Sequence, residues 1–470
     1  MLYNQLTTTL QEIVARWQVP GLSVGIVQDG EIIFSHVMGV QSLFTKTPVS
    51  AATRFCVASI AKIFVASAVM RLVEDGCIDL DAPICEYLHY FTLNDERYTR
   101  ITVCHILSHT SGLPDLDEFE YNALWENPEF DEAASERYVR GLKGLELRTS
   151  PGEEFHYSNL AFNVLGDLIT KVSGSNFESY LQTRVLAPAG MPDSTFLLSE
   201  VPSDLLAVPH IHIPEKAVSP IYPYHRADAP SSTLHSTLGD MCHWAIMCLD
   251  GGRFRGEAVL QPDTIERMWT PVARRGGILY ADMGLGWNLG TYRGQKAVSH
   301  GGMGAGLTDF FVLLPEKKLG AIMMCNEESY AIARVREAVL DVMVGMEPRV
   351  GSVSWMLPIS QALLKGGREA ACACSAQLRA SESKDYEVDE ESLLMLAMQL
   401  EMVGRLELAI DVLGLNIQAF PEFFDTYILL ANVYRQMGSI DLAEGTLQKA
   451  LALDAGNLEA LALLKKLVNN

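Results

Sequence analysis

The sequence predicts an α+β domain, an antiparallel sheet flanked by helices, followed by an all-α module of repeated helical hairpins. Three observations carry this reading. Strand-like runs cluster at both ends of residues 1–347, and helical runs fill the middle. They come in blocks, not in strict alternation, which favours an antiparallel over a doubly wound parallel design. Beyond Pro348 the pattern changes to a 34-residue period. The chain therefore divides into residues 1–347 and 348–470.

Each element has a local reason. Leu6, Leu10, Ile13, Val14 and Trp17 recur at helical spacing, and Pro20-Gly21 ends that helix. Leu22–Val27 and Glu31–Val40 are β-rich runs joined at Gln28-Asp29-Gly30, a hairpin signal. Ser59–Glu74 is apolar nearly all round and ends at Gly76, so it predicts a buried helix. Asp115–Glu136 is acidic and aromatic without clean periodicity and reads as a long loop, as does the Pro- and His-rich stretch 199–235. Strands return at Leu285–Tyr292, Lys296–His300, Leu307–Leu314 and Leu319–Cys325, followed by a helix over Ser329–Val344.

In the second part, Ala397, Gly404, Ala409 and Leu413 recur 34 residues later as Ala431, Gly438, Ala443 and Leu447. Units of about 390–423 and 424–457, with small residues where paired helices approach, resemble tetratricopeptide repeats. Residues 458–468 read as a closing helix and 353–381 as a decayed earlier unit.

Composition narrows the function classes. With 49% hydrophobic and 20% charged residues the 470-residue chain is globular, and a net charge of −22 disfavours nucleic acid and anionic membrane surfaces as partners. No uncharged apolar run reaches the roughly 18–20 residues that span a bilayer. The first residues, Met1-Leu-Tyr-Asn-Gln, lack a basic region and a continuous apolar core, so no signal peptide is expected. Nine irregularly spaced cysteines argue against a disulfide framework and for a cytoplasmic protein. His210, His212, His225, His235 and His243 crowd one region, but without metal-ligand spacing. No metal or other cofactor is expected.

Several short motifs remain. Gly21-Leu-Ser-Val-Gly25 matches GxSxG, but its serine lies within a strand leading into a hairpin, so it is strand sequence. SxxK occurs twice. Ser381-Glu-Ser-Lys384 sits in a polar linker. Ser59-Ile-Ala-Lys62 opens the most apolar helix, with both side chains one turn apart on one face. There the helix N-terminus favours a developing anion, and desolvation lowers the lysine pKa toward that of a useful base. Tyr157-Ser158-Asn159 precedes another helix; a phenol beside a lysine can relay protons and an amide can hold a substrate carbonyl. Ser299-His300-Gly301-Gly302-Met303-Gly304 ends a strand, where glycine lets a substrate lie close to the strand edge.

In this order the three motifs resemble the serine β-lactamase and penicillin-binding-protein superfamily. The class C-like branch, with Tyr-x-Asn as its second motif, is the nearer likeness; it includes AmpC-type β-lactamases, D-aminopeptidases and family VIII esterases. Ile101-Thr-Val-Cys-His-Ile-Leu-Ser-His-Thr-Ser-Gly-Leu-Pro114, Arg148-Thr-Ser-Pro-Gly152 and Gly284-Leu-Gly-Trp287 extend it over roughly residues 5–346. The resemblance implies that Ser59 is acylated, Lys62 and Tyr157 exchange its proton, and Asn159, His300, Gly301 and Gly302 bind substrate. It also implies an oxyanion hole formed by the backbone N–H groups of Ser59 and Met303. His300 and Gly301 stand where the family pattern more often has lysine and a hydroxyl residue. A serine hydrolase of small-molecule esters or amides, with at most weak β-lactamase activity, is the expectation. Two alternatives stay open: acyl transfer from the same intermediate, and a non-catalytic protein that recruits a partner through its repeats. Those repeats offer a surface for a protein partner or for self-association. His105 and His109, one turn apart, read as hydrogen-bonding core residues.

Overall fold

A computed structural model describes residues 2–116, 118–381 and 384–468. Glu382 and Ser383, the middle of the second SxxK match, lie outside the described residues. The longer helices of the first part are α1 (Leu2–Trp17), α2 (Ala61–Glu74), α3 (Asn159–Ser173), α4 (Leu238–Leu249) and α5 (Ala331–Met343). Eight strands form one sheet: β1 (Gly21–Gln28), β2 (Glu31–Gly39), β3 (Ala273–Arg274), β4 (Asp282–Met283), β5 (Asn288–Tyr292), β6 (Gln295–Gly304), β7 (Leu307–Leu314) and β8 (Leu319–Cys325). Their order is β2-β1-β8-β7-β6-β5-β4-β3, antiparallel throughout. The chain's first hairpin is thus paired through β1 to its last long strand, with Leu22 opposite Cys325.

Residues of β7 and β8 are buried without alternation, because both sheet faces are covered. On one face α4 packs so closely that a Cβ on Gly25 would lie 2.6 Å from Cys242 Sγ. On the other α1 and α5 pack together, burying Leu6, Leu10 and Ile13 of α1. The largest apolar cluster surrounds α2, in which 11 residues are buried. Packing α2 against the connection between β4 and β5 needs glycine: Gly286 has φ +79°, and a Cβ there would sit 2.5 Å from that of Ala66.

The stretch read as a loop over 115–136 is not one. It carries helices at Glu118–Glu126 and Ala134–Gly141. The first is short, and tertiary anchors hold it in place of an amphipathic period: Tyr121 and Trp125 stack one turn apart and hydrogen-bond to Asp115 and Asp228. The 199–235 stretch is largely irregular, as expected, with only short strands and turns of helix.

By contact the chain forms two compact units: residues 1–210 with 221–349, and residues 211–220 with 350–470. The second unit comprises α6 (Met356–Ala380, broken at Gly366-Gly367), α7 (Glu390–Met402), α8 (Leu406–Ala419), α9 (Phe424–Gln436), α10 (Ile440–Leu453) and α11 (Leu458–Val468). Equivalent helices of the two hairpins start 34 residues apart, at 390 and 424 and at 406 and 440. Ala397, Ala409, Ala431 and Ala443 are buried where the helices meet, and Gly404 and Gly438 end α7 and α9 at positive φ.

Residues 211–220 are the part of this unit that no repeat predicts. Within it the His212 N–H donates to Gln399 Oε1 at 2.6 Å, and Arg405 Nη1 donates to the Ile213 carbonyl. A chain ending at Glu347 removes both partners. Limited proteolysis of that chain is expected to cut first between Ile211 and Pro220, while the full chain resists there. Equal resistance in both chains would show that the segment holds its conformation without the helices.

Candidate active site

Ser59 lies in a 3₁₀ turn, Ala58–Ile60, that runs directly into α2. Ala58 holds φ at +45°, a left-handed conformation that costs a non-glycine residue of order 1–3 kcal/mol. That elbow brings Ser59, partly exposed, onto the first turn of a helix whose next residues are buried. Lys62 is wholly buried. Its Nζ lies 3.1 Å from Ser59 Oγ, 2.6 Å from Asn159 Oδ1 and 2.8 Å from the Ser231 carbonyl. Burial drives the Lys62 pKa down to about 7, against the opposing pull of the Asp115 and Asp228 carboxylates.

This geometry directs the amine. A carbonyl and an amide oxygen can only accept, so they take both N–H groups of neutral Lys62. The lone pair is left for the third neighbour, the Ser59 hydroxyl. Near neutral pH the amine can accept the Ser59 proton as its oxygen attacks a carbonyl carbon.

Tyr157 closes the site from the start of α3. Its ring stacks on His109 at 4.3 Å, and Lys62 Nζ lies 5.1 Å from the ring centroid. Burial pushes the phenol well above its usual pKa, against the lowering effect of a hydrogen bond with Ser59. Tyr157 therefore keeps its proton at neutral pH. Of the two residues expected to share the base role, Lys62 is the one whose pKa lies near neutrality. His109 is buried at φ +55° and accepts from the Ser158 N–H through Nδ1; His105 accepts from the Thr102 N–H. His109 is the hydrogen-bonding core residue expected; His105 is half-buried and completes the capping box of the Val103–Leu107 helix.

The third motif lies along β6, which packs against the Ser59 turn. His300 is buried and its ring centroid is 6.5 Å from that of Tyr157. Its Nδ1 donates to the Gly301 carbonyl at 2.7 Å. Burial, with Lys62 nearby, lowers its pKa to about 3, so it is neutral and its Nε2 is an acceptor. Gly301 and Gly302 differ in kind. A Cβ on Gly301 would meet nothing closer than 3.8 Å, whereas one on Gly302 would lie 2.4 Å from the Val57 carbonyl oxygen. Glycine at 302 is thus required for β6 to approach the serine turn. The Met303 side chain is 55% exposed beside them.

Sequence reasoning missed four contributors. The Ser231 carbonyl grips Lys62 from the short helix Ala229–Ser232, and a backbone atom carries no residue signature. Asp228 is buried, accepts from Asn163 and Trp125, and is raised by burial to about 7. Asp115 accepts from Asn159; it directly follows the Gly-Leu-Pro of the His-Thr-Ser motif, the one signal that pointed to it. The Arg275 guanidinium lies 5.9 Å from the Tyr157 ring and 5.5 Å from that of Phe155, and hydrogen-bonds Asn288.

The sequence matches a known family over residues 6–342, more than half of the chain, under the description Beta-lactamase. The chain belongs to the Beta-lactamase family. It is accordingly an enzyme of the type that acts through a serine acyl-enzyme. Among its relatives is Protein flp of Staphylococcus aureus (strain COL), 24% identical over 355 residues, which cover 75% of this chain and 69% of flp. Among solved structures, the octameric penicillin-binding protein homologue from Pyrococcus abyssi is similar, with 27% identity and a TM-score of 0.65, over 74% of this chain and 78% of that one. The D-amino acid amidase from Ochrobactrum anthropi SV3 shares the fold at 22% identity and a TM-score of 0.62, over 73% and 98% of the two chains. Among the described residues no helix is long and apolar enough to cross a membrane.

If Lys62 is the base, kcat/KM for a p-nitrophenyl ester should rise as pH increases through about 7 and then level off, because only the neutral amine accepts a proton. Ser59→Ala and Lys62→Ala should each lower turnover by about three orders of magnitude or more without unfolding the protein, since nucleophile and base act as a unit. A Ser59→Ala protein that keeps a tenth of its activity would place the nucleophile elsewhere.

Proposed function

We propose that the protein hydrolyses an ester or amide bond of a small molecule through an acyl-enzyme on Ser59, as an esterase or D-aminopeptidase-like enzyme. The observation that carries this is the Lys62 amine, whose two acceptors leave its lone pair for Ser59 Oγ at 3.1 Å. Neutral Lys62 takes the Ser59 proton as the C–O bond forms. The backbone N–H groups of Ser59 and Met303 hold the oxyanion, and the protonated Lys62–Tyr157 pair returns a proton to the leaving alcohol or amine. Water, activated by the same pair, then releases the acid. Asn159 keeps one Nδ2 hydrogen for a substrate carbonyl while the other is held by Asp115.

The third motif separates this reading from a β-lactamase. His300 is buried, neutral and an acceptor, and Gly301 has no hydroxyl, so neither offers the charge or donor that would hold a carboxylate. The likeness to a D-amino acid amidase supports the amide side of the reading. We read the helical unit as tetratricopeptide-like, with a surface for a protein partner or a second copy, and the protein as cytoplasmic.

A panel of p-nitrophenyl esters, D-amino-acid p-nitroanilides and nitrocefin tests the assignment. Esters or anilides should turn over readily and nitrocefin poorly. Gly301 has room for a side chain, so His300→Lys with Gly301→Thr can be built. A charge-assisted hydrogen bond of about 1.5–3 kcal/mol should then shift preference toward carboxylate-bearing substrates by about 10- to 100-fold. Wild-type hydrolysis of nitrocefin as efficient as that of the best ester would refute the esterase or aminopeptidase reading.

A further inference from the structure

We infer that Asp115 is a positioning residue: by fixing which end of the Asn159 amide faces Lys62, it aims the Lys62 lone pair at Ser59. This rests on Ser59 as nucleophile and Lys62 as base. The Asp115 carboxylate is saturated with donors. Oδ2 accepts from Asn159 N at 3.1 Å and Asn159 Nδ2 at 2.9 Å. Oδ1 accepts from Leu160 N at 3.1 Å, Leu116 N at 3.1 Å and Tyr121 Oη at 2.7 Å.

An asparagine amide has two ends of nearly equal size, one accepting and one donating. A carboxylate can only accept, so it takes Nδ2 and turns Oδ1 toward Lys62 Nζ. In the opposite rotamer Nδ2 would face Lys62. A neutral amine would then point its lone pair at Asn159 and lose the Ser59 proton as its target. The Asn159 backbone N–H on the same carboxylate locks the arrangement, because amide and main chain share one anchor. Ser158 caps the next turn by accepting from the Ala161 N–H, so the start of α3 does not depend on Asp115 alone.

Asp115 also acts by charge, as it opposes the burial of the Lys62 ammonium. The other groups facing Lys62 are the Asp228 carboxylate, the Tyr157 phenol and the neutral rings of His109 and His300. Removing the negative charge at 115 lowers the Lys62 pKa further, so more of the amine is neutral at low pH.

The test uses the full chain and a p-nitrophenyl ester, with kcat and KM measured against pH. In Asp115→Asn, an amide at 115 can offer either end and the choice of rotamer is lost. We expect kcat to fall roughly 100-fold, the scale of a misplaced catalytic group, and the acid limb to move to lower pH. Asp115→Ser, which keeps an acceptor for α3 but no charge, should move the limb the same way. Tyr121→Phe removes a donor and keeps the charge, so its limb should stay in place. A folded Asp115→Asn that keeps wild-type kcat, or a folded Asp115→Asn or Asp115→Ser with an unmoved limb, overturns the inference. Loss of folding in both overturns it equally, since Asp115 would then be structural. Mass-mapped fluorophosphonate labelling of the wild type separates this failure from failure of the underlying reading. An unlabelled Ser59 removes the nucleophile itself and so refutes the role given to Asp115; a labelled Ser59 with unmoved limbs refutes that role alone.

Discussion

An ammonium group removed from water is expensive, and most of the active site is arranged around one that has been removed. Lys62 has no exposed surface. Its charge would cost several kcal/mol to bury unpaired, so the amine gives up its proton near neutral pH instead. Three separate parts of the chain must meet to hold the neutral group: the first turn of α2, the start of α3 and the short helix Ala229–Ser232. The close approach allowed by Gly286 and the left-handed Ala58 belong to the same requirement: one lets α2 pack closely at Ala66, and the other leads into its first turn.

The site was legible in the sequence where chemistry depends on side-chain identity. Ser59, Lys62, Tyr157, Asn159 and His300 converge as their motifs implied, within the first of the two units. It was illegible where the work is done by main chain or by an ordinary carboxylate. Any residue at 231 could supply the carbonyl that holds Lys62. Asp115 and Asp228 look like two of many acidic residues until α3 and the Glu118–Glu126 helix come to them.

The fold divides in the same way. Long strands with continuous burial, β1, β7 and β8, were read within a residue or two of their ends. The two-residue strands β3 and β4 are too short to carry a pattern, and the Glu118–Glu126 helix is held by two anchors rather than by an apolar stripe. The glycines of the third motif show a subtler limit. Gly301 and Gly302 are identical as letters, yet one leaves open space and the other spares a clash with Val57. The family resemblance implied a substrate role for both.

Residues 211–220 belong to one unit in space and lie inside the other in the chain. A ribosome delivers them long before their partners: His212 and Gln399 are 187 residues apart. At 5–20 residues per second the segment waits roughly 10–40 s for the helices it pairs with. During that interval its main-chain groups are satisfied by water. A message truncated in the repeats would therefore release a chain in which residues 211–220 lack the groups they bond to.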